Sequence, residues 1–324
     1  MPWTWLSSTQ RQSSSMIVDS HPAALREKGA WTFCIATVGN FDGVHLGHQA
    51  LLRHTVDKAR EQHVPAVAVT FDPHPVSVLS SCAPKELCST AQRLEYMEQL
   101  GIDAVLLLPF TRVLASESAG AFCRRVLQEG LAVRELFIGY DFRMGRDHAG
   151  IDVLRPLLPS VSQVDAVLME GLPVSSTRIR KALAEGRLDE ANMLLGRPFS
   201  VQGEVVHGEG RGGPLLGIPT ANLDVPHTQA MTAPAVYATS ARLLDGAGAG
   251  EWHMSVTSFC KNPTFDGAAL TLETHIMDFS GDIYGRELEV RFLARLRQDR
   301  RFDGLEALIA QLHADMAERR RLPL

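Results

Sequence analysis

Val38-Gly39-Asn40-Phe41-Asp42-Gly43-Val44-His45-Leu46-Gly47-His48 decides how the first half of this 324-residue chain is read. It sets a His-x-Gly-His pair just after the apolar run Phe33-Cys34-Ile35-Ala36-Thr37-Val38. Behind it, Ala50, Leu51, Leu52, Val56 and Ala59 form the apolar face of a helix. Strand, glycine-rich turn and helix together make a phosphate site, because a helix N-terminus presents unpaired N–H groups and partial positive charge. The turn's glycines let backbone approach phosphate closely, and Asn40 tolerates left-handed backbone. Two imidazoles add donors that can follow a phosphate into its transition state. The pattern predicts a nucleotide-handling enzyme.

Outward from this stretch, the first half alternates strand and helix. Val64–Phe71, Ala104–Phe110, Leu136–Gly139 and Val164–Met169 read as strands. Ala91–Leu100 and Ala119–Gln128 read as helices, with Gly130 just past the second as a C-cap. This alternation predicts a Rossmann-like, mostly parallel sheet. Ser176 to about Leu195 is helical and broken near Gly186, and Gly196-Arg197-Pro198 ends it. Short β-like runs then follow at Val201–Val206, Val236–Leu244, Ser255–Phe259, Leu270–Phe279 and Glu287–Leu296. They predict an antiparallel barrel or sandwich. An amphipathic terminal helix follows, from Gly304 to about Arg321, with Leu305, Leu308, Ile309, Leu312 and Met316 on one face. Residues 1–30 read as a partly disordered extension, 31–195 as the α/β domain and 196–324 as the β domain.

Composition narrows the class. With 45% apolar residues, 21% charged residues and a net charge of −5, the chain is that of a soluble globular protein. It carries no sign of a nucleic-acid surface. No apolar run reaches the ~18 residues of a membrane span. Five scattered cysteines without a Cys-x-x-Cys predict neither a disulfide framework nor a zinc site, which fits a cytoplasmic protein.

Further motifs fall in both halves. Val174-Ser175-Ser176-Thr177-Arg178-Ile179-Arg180 places capping hydroxyls and two arginines at a helix start. Cations are unfavourable there unless an anion compensates. Phe71-Asp72-Pro73-His74-Pro75 and Gly139-Tyr140-Asp141-Phe142-Arg143-Met144-Gly145 each follow a strand, where α/β sheets bind ligands.

Together these residues resemble the prokaryotic bifunctional riboflavin kinase/FAD synthetases, from about Thr32 to about Arg320. Gly217-Ile218-Pro219-Thr220-Ala221-Asn222 is similar to the family's kinase motif, and Leu272-Glu273-Thr274-His275 to the strand carrying its general base. The resemblance implies a nucleotidyltransferase domain followed by a riboflavin-kinase-like barrel. It implies adenylyl transfer from ATP to FMN, giving FAD and pyrophosphate without a covalent enzyme intermediate. It also implies ATP-dependent phosphorylation of riboflavin, and Mg²⁺ in both steps. His45, His48, Arg180 and Glu273 would be catalytic. Gly39, Asn40, Phe41, Gly47, Ser176, Thr177, Arg180, Gly217, Thr220 and Asn222 would hold ATP and its phosphates, with Thr220 and Asn222 also serving the metal. His74, Pro75 and Asp141 would lie toward the flavin. The partners implied are ATP and small-molecule flavins, with no nucleic acid and no membrane.

The kinase half departs from the family pattern at Pro214, where the family has Arg, and at Ala235 and Cys260, where it has glycine. Two alternatives stay open: a different phosphorylated acceptor for the nucleotidyltransferase, and a second half that only binds flavin.

Overall fold

The computed structural model describes residues 15–208, 218–261 and 270–323. They divide into two compact units. The first contains the described residues up to Asn40, with Gln49–Leu79 and Leu94–Asp165; the second contains Phe41–His48, Ser80–Arg93 and the chain from Ala166 onward.

The first unit is built on six strands: β1 (Ile17–Asp19), β2 (Cys34–Val38), β3 (Ala66–Asp72), β4 (Ala104–Pro109), β5 (Val133–Gly139) and β6 (Ser160–Val164). Between them run α1 (Pro22–Gly29), α2 (Leu46–Glu61), α3 (Pro75–Leu79), α4 (Thr90–Gln99), α5 (Arg112–Ala115), α6 (Ala119–Phe122) and α7 (Ile151–Leu154). Every strand pair is parallel, in the order β1-β4-β3-β2-β5-β6. β2 is buried along its whole length, as expected for a parallel strand covered on both faces. Leu25 of α1 and Phe122 of α6 pack with Val67, Val69, Leu106, Leu136 and Ile138 of the sheet. The strand order reverses at β2, with β3 on one side and β5 on the other. Ligand crevices form outside the carboxyl ends of strands at such a reversal. Gly39 and Asn40 follow β2 there, with Gly39 N–H donating to Val69 O (3.1 Å) and Thr70 Oγ1 to Asn40 O (3.2 Å).

This unit differs from the sequence reading at several elements. β1 and α1 lie within residues 1–30, which read as a partly disordered extension, and Leu25 of α1 is buried in the core. α6 continues as a π-helical stretch, Cys123–Gly130, so Gly130 is its last residue rather than a cap beyond it. The strand expected over Val164–Met169 is instead β6, which ends at Val164, followed by a hairpin of β7 (Leu168–Met169) and β8 (Leu172–Pro173). Ser160-Val161-Ser162-Gln163 hides its strand character because β6 is the sheet's edge, where polar residues are tolerated.

The rest of the second unit opens with α8 (Ser176–Ala184) and α9 (Leu188–Leu195), separated at Gly186, whose φ is 73°. Then come β9 (Phe199–Val206), β10 (Ala221–Asp224), β11 (Ala235–Leu243), β12 (His253–Lys261), β13 (Leu270–Ile276), β14 (Glu287–Arg297) and the terminal helix α10 (Leu305–Arg319). The strands form a closed antiparallel barrel in the order β10-β13-β12-β11-β14-β9, which settles barrel against sandwich. Closure leaves no unpaired edge. Along β13, Leu272, Thr274 and Ile276 are buried, while Thr271, Glu273 and His275 on the opposite face are only half-buried. Thr239, Ser255, Thr257 and Thr274 satisfy one another's buried hydroxyls at 2.7–2.9 Å. β10 escaped the sequence reading because it is four residues long and carries Asn222 and Asp224.

α10 is fastened to the barrel by Arg319, which is fully buried. Its Nε donates to Thr239 O (2.6 Å), Nη2 to Ser240 Oγ (3.0 Å), and Nη1 to Leu322 O and Pro323 O (3.1 Å each). Arg319→Ala removes these donors and leaves a cavity, so it is expected to destabilise by about 2–4 kcal/mol. Urea unfolding of the full chain measures this; a change below about 0.5 kcal/mol would show that the helix is held by other contacts.

Candidate active site

The segment Phe41–His48 is shaped by one buried carboxylate. Asp42 Oδ1 accepts from the Leu87 N–H (2.8 Å), Oδ2 pairs with Arg180 Nη2, and the Asp42 carbonyl accepts from Ser176 Oγ (3.0 Å). Arg180 Nε also donates to Lys85 O (2.6 Å). Asp42 thus ties the start of α8 to the glycine loop. From the other side, buried Arg197 donates to Gly43 O (2.7 Å) and Val44 O (3.1 Å). The loop needs such holding because Phe41 and Val44 sit at φ 50° and 38°, a left-handed conformation that is strained for a β-branched residue. Gly43 has φ 79°, and a Cβ there would come within 2.9 Å of Leu87. At Gly47 a Cβ would lie 3.2 Å from the His45 ring, which explains the small residue between the histidines.

His45 immediately precedes α2, and its Nδ1 accepts the His48 N–H (3.3 Å) as a capping side chain does. That bond leaves the neutral ring's proton on Nε2. The two imidazoles stack at 3.6 Å between centroids and 17° between planes. Phe41 packs edge-on against His48 at 5.4 Å. Burial, and then the nearby charge of Arg197, pushes the His45 pKa down to about 3. Burial, then His45, Arg197 and Arg93, hold His48 well below the ordinary imidazole value. Both rings are therefore neutral at pH 7, each keeping one N–H donor. Nδ1 of His48 is buried with no hydrogen-bond partner among the described residues. A polyphosphate arriving here would favour added protons on the pair.

The remaining nucleotide-motif residues fall as follows. Ser175, not Ser176, caps α8, its Oγ accepting the Arg178 N–H (3.3 Å), and Thr177 lies in the first turn. Arg178 is engaged by Glu190 (3.0 Å), Glu170 (3.3 Å) and Met169 O (2.9 Å). Phe41, His45, Gly47, His48, Ser176, Thr177 and Arg180 all belong to the second unit. Gly39, Asn40, His74, Pro75 and Asp141 belong to the sheet unit, at the carboxyl ends of β2, β3 and β5. His74 is buried, its Nδ1 accepting the Val76 N–H (3.3 Å), while Asp141 is exposed.

The barrel assembles a second constellation by register. Asn222 faces Glu273, Glu273 faces Ser258, Ser258 faces Val236, and Val236 faces Arg297, so one row of side chains crosses five strands. Beside it lies a cavity of about 230 Å³ lined by Thr220, Glu273, His275, Arg297 and Phe302 and by Leu308, Leu312 and Met316 of α10. His275 Nδ1 donates to Pro219 O (2.8 Å), next to Thr220. Gly208 makes room for Asn222, since a Cβ there would sit 2.2 Å from Nδ2. Among the described residues no group of three or more His, Cys, Asp or Glu could hold a metal. Thr220 and Asn222 offer neutral oxygens beside the Glu273 carboxylate. Such a sparse set fits Mg²⁺, which takes most of its ligands from phosphates and water. Gly217, Arg211 and Pro214 lie outside the described residues. Cys260 is buried with its thiol 3.8 Å from the Ala235 carbonyl, so two of the departures pack together.

The sequence reading missed Asp42 and Arg197 as site residues. Asp42 lay within the quoted motif, but its role needs Leu87 and Arg180 in three dimensions. Arg197 read only as part of a helix stop and had no local signal.

Comparison with known proteins covers nearly the whole chain. Residues 27–178 match the family model for FAD synthetase, and 195–322 that for riboflavin kinase. A bifunctional riboflavin kinase/FMN adenylyltransferase of Pseudomonas fluorescens is 40% identical, covering 89% of this chain and 93% of its own. Those of Listeria monocytogenes (36%; 93% and 95%) and Escherichia coli K12 (34%; 87% and 90%) are also similar. A crystal structure described as a macrolide-efflux protein from Streptococcus pneumoniae has a TM-score of 0.82 and 31% identity, over 95% of this chain and 99% of that one. No helix among the described residues is long and apolar enough to cross a membrane.

The depressed histidine pKa values fix a pH dependence. A group whose folded pKa lies below its unfolded value contributes stability that is full above the unfolded pKa and is lost as pH falls through the folded one. For His45 that window runs from 6.5 down to about 3. Imidazole NMR signals of His45 and His48 are expected not to titrate between about pH 8 and 5, and His45→Gln should flatten the acid loss of stability. Titration of either ring near the ordinary imidazole value would contradict the buried, neutral pair.

Proposed function

Because the chain belongs to the bifunctional riboflavin kinase/FMN adenylyltransferase family, we propose that it makes FAD in two ATP-dependent steps, one in each half. In the first, the ribityl 5′-hydroxyl of riboflavin takes the γ-phosphoryl group of ATP, giving FMN and ADP. In the second, an FMN phosphate oxygen attacks the α-phosphorus of a second ATP, giving FAD and pyrophosphate. We assign adenylyl transfer to residues 31–195 and phosphorylation to 196–324, and place the enzyme in the cytoplasm, where its five free thiols stay reduced.

The observation that carries the adenylyltransferase reading is the neutral, stacked His45–His48 pair at the N-terminus of α2. Adenylyl transfer needs no protein nucleophile; it needs donors placed where charge grows. The Nε2–H of His45 and the helix N–H groups supply them for the departing pyrophosphate. Ser176, Thr177 and Arg180 stand at the start of α8, which Asp42 fastens to the same loop. Gly39, Asn40, Phe41 and Gly47 shape the nucleotide loop, and His74, Pro75 and Asp141 are assigned to the flavin side.

For the kinase step, the register that sets Asn222 opposite Glu273 supports Glu273 as the base taking the proton of the ribityl hydroxyl. Thr220 and Asn222 would hold Mg²⁺, which when bound screens the phosphate charge. Gly217 would lie against the ATP phosphates.

Two feeding experiments test this. Purified protein given FMN, ATP and Mg²⁺ is expected to form FAD, and given riboflavin, ATP and Mg²⁺ to form FMN and then FAD. FAD from FMN alone would restrict the chain to adenylyl transfer, with a barrel that only binds flavin; no FAD from either would overturn the reading. Replacing both His45 and His48 by Ala should cut FAD formation from FMN by about 10²–10³-fold or more. Glu273→Gln should slow riboflavin phosphorylation by about 10²–10⁴-fold.

A further inference from the structure

Asp315 lies on α10 and belongs to neither constellation described above. Its side chain is 3% exposed, yet it is a carboxyl group facing the Arg297 guanidinium. The Arg297 guanidinium meets it side-on, with Nε 3.1 Å from both carboxylate oxygens and Nη2 2.9 Å from Oδ2. Oδ1 also accepts from Gln311 Nε2 (2.7 Å), and Gln311 Oε1 in turn takes Nη2 of Arg300. One buried carboxylate therefore orders two arginines, Arg297 directly and Arg300 through an amide. Both guanidiniums lie near the ring of Phe302, at 5.5 and 5.0 Å from its centroid. Arg297 and Phe302 both line the barrel cavity.

Attachment of the helix does not account for this pair. Burying an ion pair costs desolvation, and apolar residues of similar volume often do as well or better. α10 already has Leu308, Leu312 and Met316 along the cavity and Arg319 locked into the barrel. What a carboxylate adds is orientation. An unpartnered arginine has many rotamers to lose when a ligand binds, whereas a guanidinium held side-on is ordered beforehand.

We propose that Asp315 is the positioning residue of the barrel cavity: it presets Arg297 in the cavity wall, and through Gln311 it holds Arg300 by the Phe302 ring, so that a fixed cation and that ring meet a flat, carbonyl-bearing ring system at this wall. The inference rests on the proposed kinase function: with Glu273 as the base and Thr220 beside it, both in the cavity wall, the cavity is where riboflavin would sit. Asp315 itself touches no substrate and acts through the arginines.

The test uses the full chain, with adenylyl transfer from FMN as an internal control. Asp315→Asn is expected to raise the KM for riboflavin about tenfold while kcat changes less than about threefold, and FMN-fed FAD formation should stay within about twofold of the parent. Arg297→Met should raise the same KM. In its background Asp315→Asn should add less than about twofold, because the two act as one unit. An unchanged KM in Asp315→Asn, or effects that multiply in the double variant, would overturn the proposal. Should Asp315→Asn fail to fold, Arg297→Lys keeps the charge but loses the side-on fork, and a parental KM there would overturn it equally. Riboflavin binding, followed by quenching of flavin fluorescence, repeats the comparison without turnover. A parent that binds riboflavin without phosphorylating it would sink the kinase reading and leave Asp315 testable by affinity. A parent that does not bind riboflavin would overturn both.

Discussion

The carboxylate of Asp42 is the constraint on which the nucleotide loop depends. It is 5% exposed and compensates two groups, the Leu87 N–H and the Arg180 guanidinium, while the backbone carbonyl of the same residue accepts from the Ser176 hydroxyl. Removing one partner of a buried ion pair costs about 3–5 kcal/mol, because the other charge is left unpaired. That cost allows Phe41 and Val44 to persist at positive φ. With the backbone so held, His45 can cap α2 and stack on His48 while both rings stay neutral.

Neutrality matters for the chemistry. Two protonated imidazoles stacked at 3.6 Å would repel, so the apo pair is set low in pKa by burial and by Arg197. On the proposed function, a polyphosphate would supply the missing counter-charge and make added protons favourable as negative charge accumulates. The barrel solves a different problem with a different device. There the side chains are placed by strand register, and the row from Asn222 to Arg297 follows from antiparallel pairing across five strands.

How much of this was legible in the sequence follows from the range of each interaction. Local devices were readable: the strand–turn–helix around Gly39–His48, the helix break at Gly186, and the β-like run Leu270–Phe279, of which Leu270–Ile276 forms β13. Elements whose signal is diluted by context were not. Edge strand β6 is too polar to announce itself, and β10 is short and interrupted by polar residues. Residues acting across large sequence separations were invisible for a plainer reason. Nothing near Arg197 says that its guanidinium ends on the carbonyls of Gly43 and Val44, and nothing near Asp315 points to Arg297. The likeness to a known family supplied the reaction, but it could not indicate that Ala235 and Cys260 pack against each other.

One buried carboxylate organises the loop we assign to adenylyl transfer, while barrel register sets the constellation we assign to the kinase step. The decisive variant is Asp42→Asn in the whole chain, with FAD formation from FMN and FMN formation from riboflavin measured on the same preparation. Adenylyl transfer is expected to fall by about 10²-fold or more while phosphorylation stays within about twofold. Parental rates in both reactions would contradict it, as would an equal loss in both from a protein that remains folded.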